Sequence, residues 1–484
     1  MDTNIGAKER VTQNRLIGLF KNVLKYTCLG NWETREDNAN IEEKLLTAYL
    51  SRRGYTDKEI RSSIVKLKQS ANSLGGGLYN ANKEVYTFLR YGVNIQAEVT
   101  EKKKMVHLID WANPMENDFQ IAEEVTIQGA SDRRPDLVVY VNGIALAVIE
   151  LKRSTVSAHE GIRQNIRNQQ DGYIPRFFTT IQLLFAGNDT EGLHYGVIKT
   201  PEKFWLRWKE PCGEPCQPSH FTAKEYPNEL DRSVLQFFEP VRLLEYIHDF
   251  IIFDGGIKKT ARPNQYFAVK AAQPRVRKKQ NGIIWHSQGS GKSLTMVWLA
   301  QWIRENVSDA RVVIITDRDE LDKQIESGFK DVGEQIQRAK SGGKLIEMLN
   351  AAEPWLICTL IHKFGNKNDS DAISVGNKKA SKSLDLYLEE LAKSLPADFC
   401  AKGNIYVFID ECHRTQGGML HEAMKHIMGN DVMLIGFTGT PLLHTDKKKS
   451  IETFGSYIHS YKFNEAVKDK VILDLRYEAR NVEQ

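Results

Sequence analysis

Residues 282–306 read GIIWHSQGSGKSLTMVWLAQWIREN, and the order of properties along them decides the fold. An apolar run of strand length ends at His286, a Ser-Gln-Gly-Ser-Gly turn breaks it, and a helical stretch starts at once. Working outward, ARVVIIT (310–316), PWLICTL (354–360), NIYVFID (404–410) and VMLIGFT (432–438) are further continuous apolar runs. Strands that are apolar on both faces and separated by helices predict a parallel sheet covered on both sides. The carboxy-terminal half is therefore expected to be α/β.

The turn also carries chemistry. Gln288, Gly289, Ser290 and Gly291 would aim backbone N–H groups and a helix N-terminus at phosphate oxygens, with Lys292 on the outer phosphates and Ser293 on magnesium. His286 stands where the usual phosphate-loop pattern has its first glycine. Asp410 and Glu411 close NIYVFID, an arrangement in which Asp410 serves the metal and Glu411 polarises the attacking water. Alone, an acidic pair is often a solvated strand end. Here it lies between the phosphate loop and Thr438-Gly439-Thr440-Pro441, which closes another apolar strand. The three together predict an ATP and Mg2+ site.

A second constellation lies upstream. FQIAEEVTI (119–127), DLVVYV (136–141) and IALAVIEL (144–151) read as strands, the last two joined in a hairpin around Asn142 and Gly143. Pro135 and Asp136 open one strand; Glu150, Leu151 and Lys152 close the other. Two carboxylates holding magnesium beside a lysine are the parts that phosphodiester hydrolysis requires. The letters alone are weak, because ExK occurs on many solvated strands. Geometry sharpens the test: Glu150 and Lys152 share a face, so Asp136 must share it as well. A plain two-residue turn pairs 141 with 144 and 136 with 149, which puts Asp136 on the wrong face. A bulged or three-residue connection over 141–143 is therefore expected, pairing 136 with 148. Gln169 and Tyr173, four apart in EGIRQNIRNQQDGY (160–173), are expected on one helical face. Glu42 or Glu43, in a helical region over 41–70 with Gly54 near its stop, is a weaker candidate for the same metal.

With 484 residues, 41% apolar and 26% charged, the chain has the composition of a globular protein of roughly two to four domains. The expected division is a nuclease-like domain over 1–205, a linker over 206–245 carrying Pro211, Pro215, Pro218 and Pro227, an ATP-binding lobe over 246–470, and the start of another lobe over 471–484. No run approaches the ~18 apolar residues that cross a bilayer, and MDTNIGAKER lacks the core of a signal peptide; no membrane partner and a cytoplasmic location are expected. Six cysteines make no disulfide framework, and Cys212 and Cys216 lack the second pair of a zinc site. The net charge of +4 excludes nothing, although Arg275, Arg277, Lys278 and Lys279 form a basic cluster that either contacts DNA or solubilises a turn. The polar stretch from Gly365 is expected to be a loop.

The GSGKS, DECH and TGTP segments are similar to motifs I, II and III of superfamily two helicases and translocases. Thr316-Asp317-Arg318 resembles the motif that touches DNA backbone, and Gln265 resembles the glutamine that reads adenine. The hairpin resembles the PD…(D/E)xK pattern, and Gln169 with Tyr173 the QxxxY element of RecB-like nucleases. A PD-(D/E)xK nuclease domain followed by a RecA-like superfamily 2 lobe, with the HxQGSGKS form of the phosphate loop, resembles the restriction (R, motor) subunit of type I restriction-modification enzymes. That resemblance implies a subunit that joins methyltransferase (M) and specificity (S) subunits, translocates double-stranded DNA using ATP, and cuts it away from the recognition site. It also implies a second motor lobe of about 150 residues that the sequence to Gln484 does not hold, so weak ATP turnover is expected of this chain. The rival reading is a repair helicase with a noncatalytic DNA-binding module in front.

Overall fold

The apolar runs become strands as their periodicity predicts. The computed structural model describes residues 9–96, 103–211, 219–316, 329, 335–339, 342–360, 399, 401–410, 428–429, 431–440 and 454–473. The chain divides into two units, Met1–Glu210 with Pro218–Thr260, and Pro211–Gln217 with Ala261–Gln484.

In the first unit the strands are β1 (Thr27–Asn31), β2 (Val93–Ile95), β3 (Lys104–Val106), β4 (Phe119–Glu123), β5 (Leu137–Val141), β6 (Ile144–Leu151), β7 (Leu183–Asn188), β8 (Gly192–Gly196), β9 (Leu206–Arg207), β10 (Ile251–Asp254) and β11 (Ile257–Thr260). Seven of them form a mixed sheet in the order β1-β4-β5-β6-β7-β8-β9, in which β1 runs parallel to β4 and β6 to β7. Every residue of β5 and β6 is buried, so the hairpin lies in the core. The helices are α1 (Glu9–Asn22), α2 (Glu43–Arg52), α3 (Asp57–Asn72), α4 (Gly77–Tyr91), α5 (Ala158–Asn168), α6 (Glu229–Phe237) and α7 (Pro240–Asp249). The helical region expected over 41–70 is two helices. Gly54 turns the chain at φ 83°, and Thr56 starts α3 with a capping box to Glu59.

Residues 219–260, most of them expected within the linker, fold as α6, α7 and the β10–β11 hairpin on the first unit. The reason is in the sequence: Asn228 caps α6, and Leu230, Val234, Leu235 and Phe238 are fully buried.

The second unit is a seven-stranded parallel sheet, matching the α/β expectation. Its strands are β12 (Gly282–His286), β13 (Ala310–Thr316), β14 (Ile336–Ala339), β15 (Leu356–Leu360), β16 (Asn404–Asp410), β17 (Met433–Thr438) and β18 (Tyr457–Tyr461), in the order β14-β15-β13-β16-β17-β12-β18. Helix α8 (Pro263–Arg277) precedes β12 and α9 (Lys292–Asn306) follows it. His286, Thr316, Asp410 and Thr438 all end strands of this parallel sheet and so lie along one edge, where such folds bind ligands. Glu411, Asp317, Arg318, Pro441, Cys212, Cys216 and the polar stretch from Gly365 lie outside the described residues. Among the described residues no helix is long and apolar enough to cross a membrane.

Candidate functional site

The hairpin solves its register problem differently from the expectation. The turn is a regular two-residue one, Val141 opposite Ile144, with Asn142 at φ 53° and Gly143 at φ 79°. A side chain on Gly143 would sit 2.6 Å from Leu45 Cβ and 2.8 Å from Leu46 N, so only glycine admits α2 here. The correction comes three residues later: Tyr140 faces Ala145 but Val139 faces Ala147, leaving Leu146 as a bulge. From there Leu137 faces Ile149, and the register carries Asp136 opposite Glu150. The bulge thus achieves the common face that the turn does not.

On that face Asp136 Oδ2 accepts the Leu151 N–H at 2.6 Å and stands 4.0 Å from Lys152 Nζ. Glu150 is fully buried; its Oε2 accepts Gln164 Nε2 at 2.7 Å, and among the described residues no N–H reaches its Oε1. Lys152 Nζ donates to the Leu151 carbonyl at 2.7 Å and lies 3.4 Å from Glu9 Oε1. Burial pushes the Asp136 carboxyl up to about 6, with Lys152 and the Leu151 N–H opposing the rise. Burial and the neighbouring Asp136 together push Glu150 well above the carboxylate range. Burial would lower Lys152, but Asp136, Glu150 and Glu9 outweigh it and the ammonium is held more tightly than usual. A buried carboxylate oxygen without a donor, beside two carboxyls that burial makes costly to ionise, is a donor set that a divalent cation would fit.

Gln164 reaches Glu150 because α5 presses on β6 at Gly161, where a Cβ would stand 3.4 Å from Glu150 Cβ and 3.1 Å from Ala186 Cβ. Helix α5 ends at Asn168, so the shared helical face expected of Gln169 and Tyr173 does not exist. Gln169 caps the helix, its amide donating to Asn165 O at 2.9 Å and accepting Lys199 N at 2.7 Å; Tyr173 lies under the Arg133 guanidinium, 4.1 Å away. Glu42 and Glu43 are committed to Arg35 and Lys68 respectively.

In the second unit, the loop after β12 is anchored by Ser287 N–H to Tyr461 O at 3.0 Å, and by Ser290 N–H and Oγ to Ser287 O. Gly289 and Gly291 take φ 81° and 88°, which turns the chain straight into α9 at Lys292. Gln265 is buried with both amide ends in use, Oε1 accepting Arg262 N at 2.8 Å and Nε2 donating to Gly291 O at 2.9 Å. A Cβ on Gly439 would lie 2.9 Å from Lys292 Nζ and 3.1 Å from Gln288 N, so the TGTP segment packs on the loop and its lysine. Asp410, 2% exposed, ends β16 beside Phe437 of β17, with Ser293 in the first turn of α9. His286 is buried, its Nε2 2.8 Å from His459 Nδ1 and its Nδ1 3.4 Å from Asn264 Nδ2. The basic cluster lies at the opposite edge of the sheet. Arg275 binds Ser456 Oγ, Arg277 covers the Trp302 ring, and Lys279 binds Asn404 and Asp431.

The family described as type I restriction enzyme R protein N terminus matches residues 7–203, and the SWI2/SNF2 ATPase family matches residues 264–484. Endonuclease subunits of type I restriction enzymes match across both halves. That of MjaIXP from Methanocaldococcus jannaschii is 27% identical over 87% of this chain and 40% of its own length. Those of SsaAORF53P from Staphylococcus saprophyticus and HindI from Haemophilus influenzae are each 26% identical, over 77% and 85% of this chain and 37% and 40% of their own lengths. The two halves of this chain are thus similar, in order, to the N terminus of type I restriction R proteins and to the SWI2/SNF2 ATPase. It spans about two-fifths of the length of these relatives. Among solved structures, the Sulfolobus solfataricus SWI2/SNF2 ATPase core in complex with dsDNA aligns over 46% of this chain and 40% of that one, at 16% identity and a TM-score of 0.30.

Sequence reading did not single out Glu9, Gln13 and Gln164, which the structure places against Lys152, Asp136 and Glu150 respectively. Gln164 was within reach, since it lies in the same helical stretch, 160–173, from which Gln169 was singled out. Glu9 and Gln13 were not, because nothing local ties α1 to the hairpin.

Proposed function

We propose that this chain is the nuclease and ATP-binding part of a type I restriction R subunit: a magnesium-dependent endonuclease of the PD-(D/E)xK kind, coupled to an ATP-driven double-stranded DNA translocase. The observation that carries the reading is the bulge at Leu146, which sets Asp136 and Glu150 on one face with Lys152, where among the described residues no N–H reaches Glu150 Oε1. Asp136 and Glu150 are the residues that would hold Mg2+, with Glu9 on the far side of Lys152. Magnesium bound there supplies an activated hydroxide and offsets charge on the attacked phosphate. Lys152 keeps its proton and presents it to the scissile phosphate or to the attacking water, while Gln164 fixes the Glu150 carboxylate by one oxygen and leaves the other for the ion.

In the second unit the backbone N–H groups of Gln288–Gly291 and the Lys292 ammonium would hold the ATP phosphates, with Ser293 and Asp410 on Mg2+ and Glu411 as the residue that polarises water. A motor that walks must hold DNA by its phosphates, so sequence choice would fall to partner M and S subunits, as the resemblance to restriction R subunits implies. The test is nicking of supercoiled plasmid in Mg2+, together with ATP-analogue binding. Glu150→Ala is expected to abolish cutting and keep nucleotide binding; Lys292→Ala is expected to do the reverse. Cutting that survives Glu150→Ala rejects the nuclease reading.

A further inference from the structure

Helix α1 reaches the hairpin from outside its two strands. Glu9 stands 3.4 Å from Lys152 Nζ, and Gln13, one turn on and buried, donates to the Asp136 carbonyl at 3.2 Å. What holds α1 there is on its neighbouring face. Arg15 Nε lies 3.0 Å from both carboxylate oxygens of Asp231 on α6, and its terminal nitrogen pairs with Asp189 just beyond β7. Thr12 Oγ1 donates to Asp189 at 3.2 Å, and Asn228, the cap of α6, donates to the same carboxylate at 3.0 Å. Asp189 and Asp231 are only 8% and 12% exposed, and burial pushes Asp231 up against the pull of Arg15. Without the guanidinium, two shielded carboxylates would face each other at the seam between α1 and α6. Helix α6 belongs to residues 218–260, the stretch that leads to the ATPase unit at Ala261.

We propose that Arg15 is a positioning residue: clamped by Asp189 and Asp231, it sets how closely Glu9 and Gln13 approach the Asp136–Glu150–Lys152 group, and so lets the segment leading to the ATPase unit govern the completeness of the cation pocket. This rests on the nuclease reading above. The clamp joins α1, which supports the pocket, to α6 in the stretch of the first unit, 218–260, that leads to Ala261.

The experiment uses the full chain without nucleotide. Mn2+ binding is followed by calorimetry, and plasmid nicking is measured against Mg2+ concentration. Arg15→Gln and Asp231→Asn are each expected to raise the half-saturating cation concentration about tenfold while the rate at saturating cation stays within about twofold. Arg15→Lys, which keeps the charge but loses the fork, should fall between them and wild type. Unchanged half-saturation in Arg15→Gln and Asp231→Asn overturns the proposal, as does a loss of rate that saturating cation does not restore. If Arg15→Gln fails to fold, Arg15→Lys decides on the same two readouts. Glu150→Gln separates the two levels: if it binds Mn2+ as wild type does, the pocket reading itself fails, whatever Arg15 does.

Discussion

Asparagine in place of Asp136 should make the cation-free first unit more stable at neutral pH. Burial lifts the Asp136 carboxyl from 3.8 to about 6. Below pH 3.8 the folded and unfolded chains both hold this proton. As the pH rises from there, the unfolded chain loses it first; the folded state then binds more protons, and stability falls with pH until about 6, where the loss is complete. A shift of that size corresponds to about 3 kcal/mol. Glu150 is moved in the same direction by burial and by Asp136, so its ionisation adds to the cost. Asparagine keeps an acceptor for the Leu151 N–H and cannot ionise. Urea unfolding in EDTA, followed across pH 4 to 8, should show the variant gaining on wild type by up to about 3 kcal/mol between pH 4 and 6 and holding that margin above. Saturating Mg2+ should shift the balance back towards wild type, because only wild type keeps both carboxylates. A gap between the two chains that does not change with pH, or one that grows in favour of wild type as the pH rises in EDTA, would refute the claim that the pocket stores unneutralised charge.

Two further outcomes concern the second unit. His459 is lowered to about 4 by burial, and His286 is lowered too by burial, His459 and Lys292. The folded unit keeps both rings neutral while the unfolded chain protonates them below about 6.5, so stability should be lost as pH falls from 6.5 towards 4, by about 3 kcal/mol for His459 alone. His459→Gln should flatten that loss in acid unfolding curves, and an unaltered acid limb would contradict the pairing. Gly439→Ala places a methyl 2.9 Å from Lys292 Nζ and 3.1 Å from Gln288 N. It is expected to weaken fluorescent ATP-analogue binding about tenfold, roughly one charge-assisted hydrogen bond, and undiminished affinity would show that Lys292 leaves this position when nucleotide binds.

The parallel sheet was legible because its strands are buried on both faces and so read as unbroken apolar runs; ends such as Asp410 and Thr438 then fall on one edge by topology alone. The same property hid the bulge. In β6 every residue from Ile144 to Leu151 is buried, so no alternation marks where the register slips, and the Asn-Gly turn announced only its own geometry. Gln169 and Tyr173 were expected on one face from their four-residue spacing, yet the chain turns away at Asn168 and Gln169 spends its amide closing that end. Prolines at 211, 215, 218 and 227 suggested a connector, but a capped amphipathic helix begins at Glu229 and outweighs them. Glu9 and Gln13 were beyond reach, since the contact of α1 with the hairpin is made by tertiary packing.

The two sites handle buried charge in opposite ways, and the difference matches what each would receive. Around Lys152 stand three carboxyls, Asp136, Glu150 and Glu9. Fully ionised, they exceed the one ammonium by two charges, the amount a divalent cation neutralises, and burial raises the pKa of two of the three. At the other site, the strand leading into the phosphate loop carries a His286–His459 pair that burial keeps from protonating, Lys292 lies beside Gly439, and the loop itself, residues 287–293, has no acidic side chain. A nucleoside triphosphate brings its negative charge with it. The apolar hairpin that makes the first pocket costly to ionise is also the core that keeps it folded, so the stability gained by removing Asp136 and the cation affinity lost with it have one physical origin.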